Sequence, residues 1–200
     1  MKALVVRVKN VLLRPGPAWQ AIKDEPATHR SVLLHYVAPL AAIPPAAAIA
    51  GRLLFDRNIA ADSLSSSIAY LLMTNLIWYG MYIVNVVVSG MIIAAVLTGA
   101  GSRWNGLRGM TLAAYSFTPL SLAGLIAVIP SLGWTIYPAI LYAIYLLYLG
   151  IMQLAGFPGT KSAWVALSSF SAAAVIVGVM NLLEYMFESY VARGVYTIRG

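Results

Sequence analysis

Apolar residues run along this chain in long blocks, separated by short polar or Pro- and Gly-bearing joints. Five blocks stand out, at about residues 32–55, 68–97, 107–128, 132–154 and 163–183. Each reaches the roughly 20 residues a helix needs to cross hydrocarbon. A helix also satisfies its own backbone, which lipid cannot do. The pattern predicts an all-α, polytopic integral membrane protein. Its body is a five-span transmembrane helix bundle over residues 32–183. A short amphipathic N-terminal helix within residues 1–31 precedes it, and residues 184–200 form a short outer tail.

The second block is the longest. Its thirty residues make about 45 Å of helix against about 30 Å of hydrocarbon. Two spans with a turn need more chain than this, so one long tilted span is expected, with Gly80 and Gly90 as its weakest points. The joints at residues 129–133 and 155–162 are short, so spans three, four and five are expected as antiparallel neighbours.

The first thirty-one residues do not read as a secretory signal, because cations interrupt the apolar run. Leu4, Val5, Val8, Val11 and Leu12 fall within about 120° of helical arc, and Lys2, Arg7, Lys9 and Arg14 lie outside it. Such a helix can lie in the headgroup plane with its cations facing anionic lipid headgroups. The alternative is a short helix packed on the protein's own cytoplasmic face. Pro15, Gly16 and Pro17 end it, and a second short helix is expected from Ala18 to Glu25.

Composition supports the membrane reading: 61% of residues are hydrophobic and 10% charged, where a soluble domain carries about 25% charged. The net charge of +7 would suggest nucleic acid in a soluble chain. Here the cations lie mostly outside the apolar blocks, so they set orientation and nucleic acid is not an expected partner. With the N-terminus in the cytoplasm, the inside segments hold Lys2, Arg7, Lys9, Arg14, Lys23, Arg30, Arg103, Arg108 and Lys161. The outside ones hold Arg52, Arg57, Arg193 and Arg199. Nine against four places the N-terminus inside and, with five spans, the C-terminus outside. Trp104 inside, with Trp134 and Tyr137 outside, suit the two interfaces.

The chain carries no cysteine and two histidines, His29 and His35. No metal, cofactor or catalytic constellation is apparent, so no enzyme activity and no cofactor are expected. Glu184 and Glu188 share a helix face at the outer end of span five and read as an exposed interfacial pair. Asn75, Asn85 and Asn181 lie within or near the ends of spans, where polar side chains usually bond between helices. Tyr142, Tyr145 and Tyr148 recur along span four as a packing stripe. Pro119 inside span three removes a backbone donor and bends the helix, and Ser116, Thr118 and Ser121 can serve the freed carbonyl. Tyr115 shares a face with Pro119, and Asn75 or Asn85 are candidate partners for its hydroxyl.

Several of these residues carry a family resemblance. Arg7-Val8-Lys9-Asn10-Val11-Leu12-Leu13, then Ala18-Trp19-Gln20-Ala21-Ile22 and Glu25-Pro26, resemble the N-terminal segment of the bacterial branch of the Yip family, the Ypt-interacting proteins. Ala114-Tyr115-Ser116-Phe117-Thr118-Pro119-Leu120 is similar to its tyrosine-to-proline signature in the third span. The resemblance implies a multi-pass protein of the bacterial inner membrane. Eukaryotic relatives are implied to bind prenylated GTPases. Their acidic-Leu-Tyr-Gly-Pro motif does not occur in this sequence, so GTPase binding does not carry over.

Two functions are expected to compete. One is a non-enzymatic protein acting through contacts with the lipid bilayer, with other membrane proteins or with a second copy of itself. The other is a transporter or channel for a small solute or ion. A polar cavity crossing the membrane would favour transport, and a lipid-filled groove would favour the first.

Overall fold

The computed structural model describes residues 2–55, 64–102 and 105–198. Two short helices come first, α1 (Lys2–Leu13) and α2 (Pro15–Asp24). Pro15 opens α2 in its first turn, where the missing N–H costs nothing, and Arg14 leaves helical geometry to make the corner. The pair folds back on the bundle. Val11, Ala18, Trp19 and Ile22 are buried, and Leu4 and Val8 pack against the same core. The apolar stripe of α1 is therefore spent largely on the protein's own helices, while Val5, Val6 and Leu13 stay exposed.

The next helical stretch covers His29–Phe55. Thr28 caps it, its hydroxyl accepting from the Ser31 N–H at 3.1 Å. It runs as α3 (His29–Val32), a π turn (Leu33–Val37), α4 (Ala38–Ala41) and α5 (Ile43–Phe55). The wide turn stands just before Pro39, where the proline cannot donate and its ring crowds the carbonyl one turn back. The second break, at Ala42, stands just before Pro44 and Pro45.

The long second block forms one helix, α6 (Leu64–Gly99), unbroken through Gly80 and Gly90. Gly90 is a contact point, not a weak point. A Cβ there would sit 2.5 Å from the Met110 Cα, and one at Gly109 would overlap the Gly90 carbonyl oxygen. The two glycines let α6 and α7 (Gly106–Ser116) cross backbone to backbone.

Span three then turns at Phe117 into α8 (Thr118–Ala123) and 3₁₀ turns over Gly124–Val128 and Pro130–Thr135. Every residue from Gly109 to Pro119 is buried, so this segment is the centre of the bundle. The fourth block begins in that 3₁₀ turn and continues as α9 (Ile136–Ala155), ended by Gly156 at φ 67°.

The last helix, α10 (Gly159–Ile198), does not stop at residue 183. It continues through residues expected as a tail, which contain no proline to end it. Among the described residues, four segments are long and apolar enough to cross a membrane: His29–Phe55, Leu71–Gly99, Gly106–Ile126 and Ser131–Ala155.

Candidate functional site

Two cavities flank the kink in span three. The smaller lies beside the N-terminal hairpin. Tyr115 forms part of its wall, with Tyr36, Arg7 and Glu25. The Tyr115 ring lies 4.2 Å from the Tyr36 ring and meets the Trp19 ring edge-on at 6.1 Å. The Arg7 guanidinium stands 5.9 Å from the Tyr115 ring centroid and pairs with the Glu25 carboxylate. Burial works against the Arg7 charge. The hydrogen bond to Glu25 and the Tyr115 side chain more than offset it, so the guanidinium is held above its ordinary value. Lys2, Lys9 and Arg14 remain exposed, and Arg7 alone of the four is drawn into the hairpin's own contacts.

The kink is held by hydroxyl pairs. Pro119 leaves the Tyr115 carbonyl without its helical donor, and the Thr118 hydroxyl supplies one at 2.7 Å. That spends the Thr118 proton, so the Tyr36 hydroxyl, 2.7 Å from Thr118 Oγ1, is the donor of that pair. Tyr82 and Ser121 make a second pair at 2.5 Å. Spans one and two are thus each tied to span three on either side of Pro119.

The asparagines do not take this role. Asn75 donates to the Leu71 carbonyl at 2.8 Å, and Asn85 accepts from Ser89 at 3.0 Å, both inside α6. A carbonyl or hydroxyl one turn away on the same helix takes these bonds. Tyr115 finds rings and a cation instead of an amide. The side chains of Asn181, Glu184 and Glu188, and residues Arg57, Arg103 and Trp104, lie outside the described residues. In the tyrosine stripe, Tyr142 donates to the Leu12 carbonyl at 2.5 Å and fastens α9 to the end of α1.

The larger cavity, of about 620 Å³, runs from the kink at Phe117 to the 3₁₀ turn over Pro130–Thr135 and the first turns of α9. Pro44, Trp78, Phe170 and Ala174 bring the neighbouring helices to its wall. Its volume lies in the range of small-molecule sites. Its lining is mostly apolar, with Tyr82, Asn85, Thr135 and the indole N–H of Trp78 the polar groups among its side chains. Tyr82 is spent on Ser121, and Thr135 donates to the Leu132 carbonyl at 2.8 Å. The two cavities share no lining residue.

A family model of the Yip1 domain matches residues 9–181. The chain belongs to the Yip1 domain family. No curated protein and no solved structure matches it. The Yip1 domain match takes in the hairpin from Lys9 onward, the Tyr115–Pro119 kink and the whole lining of the larger cavity. It is a membrane protein, with several helices able to span. The chamber and the partners Tyr36 and Tyr82 were not singled out by sequence reasoning, and Trp19 was read only within the resemblance of the N-terminal segment. The available signal was the need of a buried phenol or indole for a polar partner, which names the need and not the partner.

Proposed function

We propose that this Yip1-domain protein is a non-enzymatic, five-span protein of the bacterial plasma membrane that works through contacts with lipids and membrane proteins, as a scaffold or adaptor. In this reading residues 163–183 of α10 are the fifth span, the N-terminus is cytoplasmic and the C-terminus outside. Lys2, Lys9 and Arg14 face anionic headgroups, and the apolar chamber is a lipid-contact site.

The observation that supports it is the chamber lining. Hydrocarbon meets Pro44, Trp78, Phe170 and Ala174 without losing hydration, because those side chains offer apolar surface. An ion would need charges or several converging carbonyl or hydroxyl oxygens there, and the lining side chains offer no charge and only the Tyr82 and Thr135 hydroxyls and the Asn85 amide oxygen. The lining therefore supports lipid contact over conduction.

The test is made on the purified full chain. Added phospholipid should raise its thermal unfolding temperature in detergent, and Ala174→Phe, which adds bulk at the chamber wall, should lose most of that rise. Proteoliposomes should stay tight to potassium ions and protons. A protein-dependent ion flux, or a full lipid response in Ala174→Phe, would overturn the reading.

A further inference from the structure

Asn85 is out of keeping with the chamber it lines. It is the middle residue of the Leu71–Gly99 apolar stretch, with about 21 Å of helix on either side. Its Oδ1 accepts from Ser89 at 3.0 Å. Its Nδ2 has no protein partner among the described residues, and the side chain is half-buried at the chamber wall. An amide N–H left unpaired in hydrocarbon is costly, so a donor kept at this depth points to an acceptor supplied from elsewhere.

Depth decides what kind of molecule that is. Hydrocarbon is about 30 Å thick, so the ester carbonyls of a diacyl phospholipid sit about 15 Å from the midplane. A phospholipid anchored by its headgroup brings methylene groups to Asn85 and no acceptor. Water finds this amide and a mostly apolar wall whose Tyr82 and Thr135 hydroxyls are already bonded within the protein, too few partners to hold it. An ion finds no compensating charge. A partner helix, about 10 Å across, is too wide to enter a cavity of about 620 Å³; what remains is an uncharged molecule that lies wholly inside the hydrocarbon and carries a carbonyl.

We infer that the chamber is a binding site for an uncharged, lipid-soluble carbonyl compound of the quinone class, which accepts a hydrogen bond from Asn85 Nδ2 while its apolar body packs against Phe117, Phe170 and Trp78. The inference rests on the chamber being a lipid-contact site. It adds the chemical class and the residue that selects it. No bond is made or broken. The site binds and orients.

The test compares two probes of one shape, 2-methyl-1,4-naphthoquinone and 2-methylnaphthalene, on the purified full chain in detergent. The chain has no cysteine, so the quinone cannot add to a thiol. Half-maximal stabilisation against thermal unfolding gives the apparent affinity of each probe. The ratio of the two is then compared between wild type and Asn85→Leu, which cancels their unequal partition into micelles. One neutral hydrogen bond corresponds to about a fivefold preference, so the quinone preference should fall by about fivefold in Asn85→Leu. Unchanged 2-methylnaphthalene binding in that variant shows that its chamber is intact. Ala174→Phe should weaken both probes. An equal ratio in wild type and Asn85→Leu would overturn the role of Asn85 and leave an apolar chamber standing. If neither probe stabilises wild type, the chamber is not a ligand site and the reading beneath the inference falls too.

Discussion

Tyr36 and Thr118, 82 positions apart in the chain, share a buried hydrogen bond of 2.7 Å across the kink of span three. The direction of that bond follows from Thr118 donating its own proton to the Tyr115 carbonyl. Thr118→Val keeps the side-chain volume and removes both bonds, whereas Tyr36→Phe removes one. Thr118→Val should lower stability in detergent by about 1–2 kcal/mol and Tyr36→Phe by about 0.6 kcal/mol. Thermal unfolding of the two variants and their double mutant should give less than the sum of the parts. Full additivity would mean that the two residues do not share a bond.

The crossing of α6 and α7 depends on the absence of two side chains. Gly109→Ala places a methyl where the Gly90 carbonyl oxygen stands, and backbone cannot step aside as a flexible side chain can. A loss of about 1–3 kcal/mol is expected. Gly80→Ala meets nothing within 4 Å and should be neutral or slightly stabilising, since alanine is the better helix former. Equal effects at the two positions, read from unfolding temperatures, would contradict the crossing.

The N-terminal hairpin is held by its apolar face. Trp19, 1% exposed, sits against Gly150 and Leu112, and Trp19→Ala should cost about 3–5 kcal/mol. Replacing Lys2, Lys9 and Arg14 with Gln should leave detergent stability within about 0.5 kcal/mol, because these side chains are exposed. The same three changes should weaken binding of a peptide of residues 1–14 to anionic vesicles at low salt, each cation there contributing about 1 kcal/mol. Unchanged vesicle binding would show that the cations do not face lipid.

The helical class and four segments able to span were legible in the sequence, because hydrocarbon imposes one length and one backbone solution on each span. The kink was legible too. Pro119 removes a donor, and a neighbouring threonine is the cheapest replacement. The partners were not. Asn75 and Asn85 read as interhelical groups because amides in spans often are, but a carbonyl one turn back and a hydroxyl one turn ahead on α6 bond them instead. The long extent of α10 was missed because polar residues after 183 look like a tail until one notices that nothing there stops a helix. The chamber could not be read at all, since a cavity is the space between helices and no residue announces it.

Orientation has a direct check. The excess of inside cations predicts that a reporter fused after Gly200 is active only on the outer face. Activity in the cytoplasm would give an even number of spans and remove residues 163–183 from the membrane-crossing set.

A chain without cysteine lets one introduced thiol report alone. The central claim, that the chamber beside Ala174 holds hydrocarbon and not water, is tested most directly by Ala174→Cys in native membranes. A thiol reacts as the thiolate, which forms only where water reaches it. The account predicts that a charged, water-soluble methanethiosulfonate fails to label Cys at this position until the membrane is dissolved in denaturing detergent. Rapid labelling in intact membranes would mean a hydrated path at this depth and would contradict the lipid-contact account.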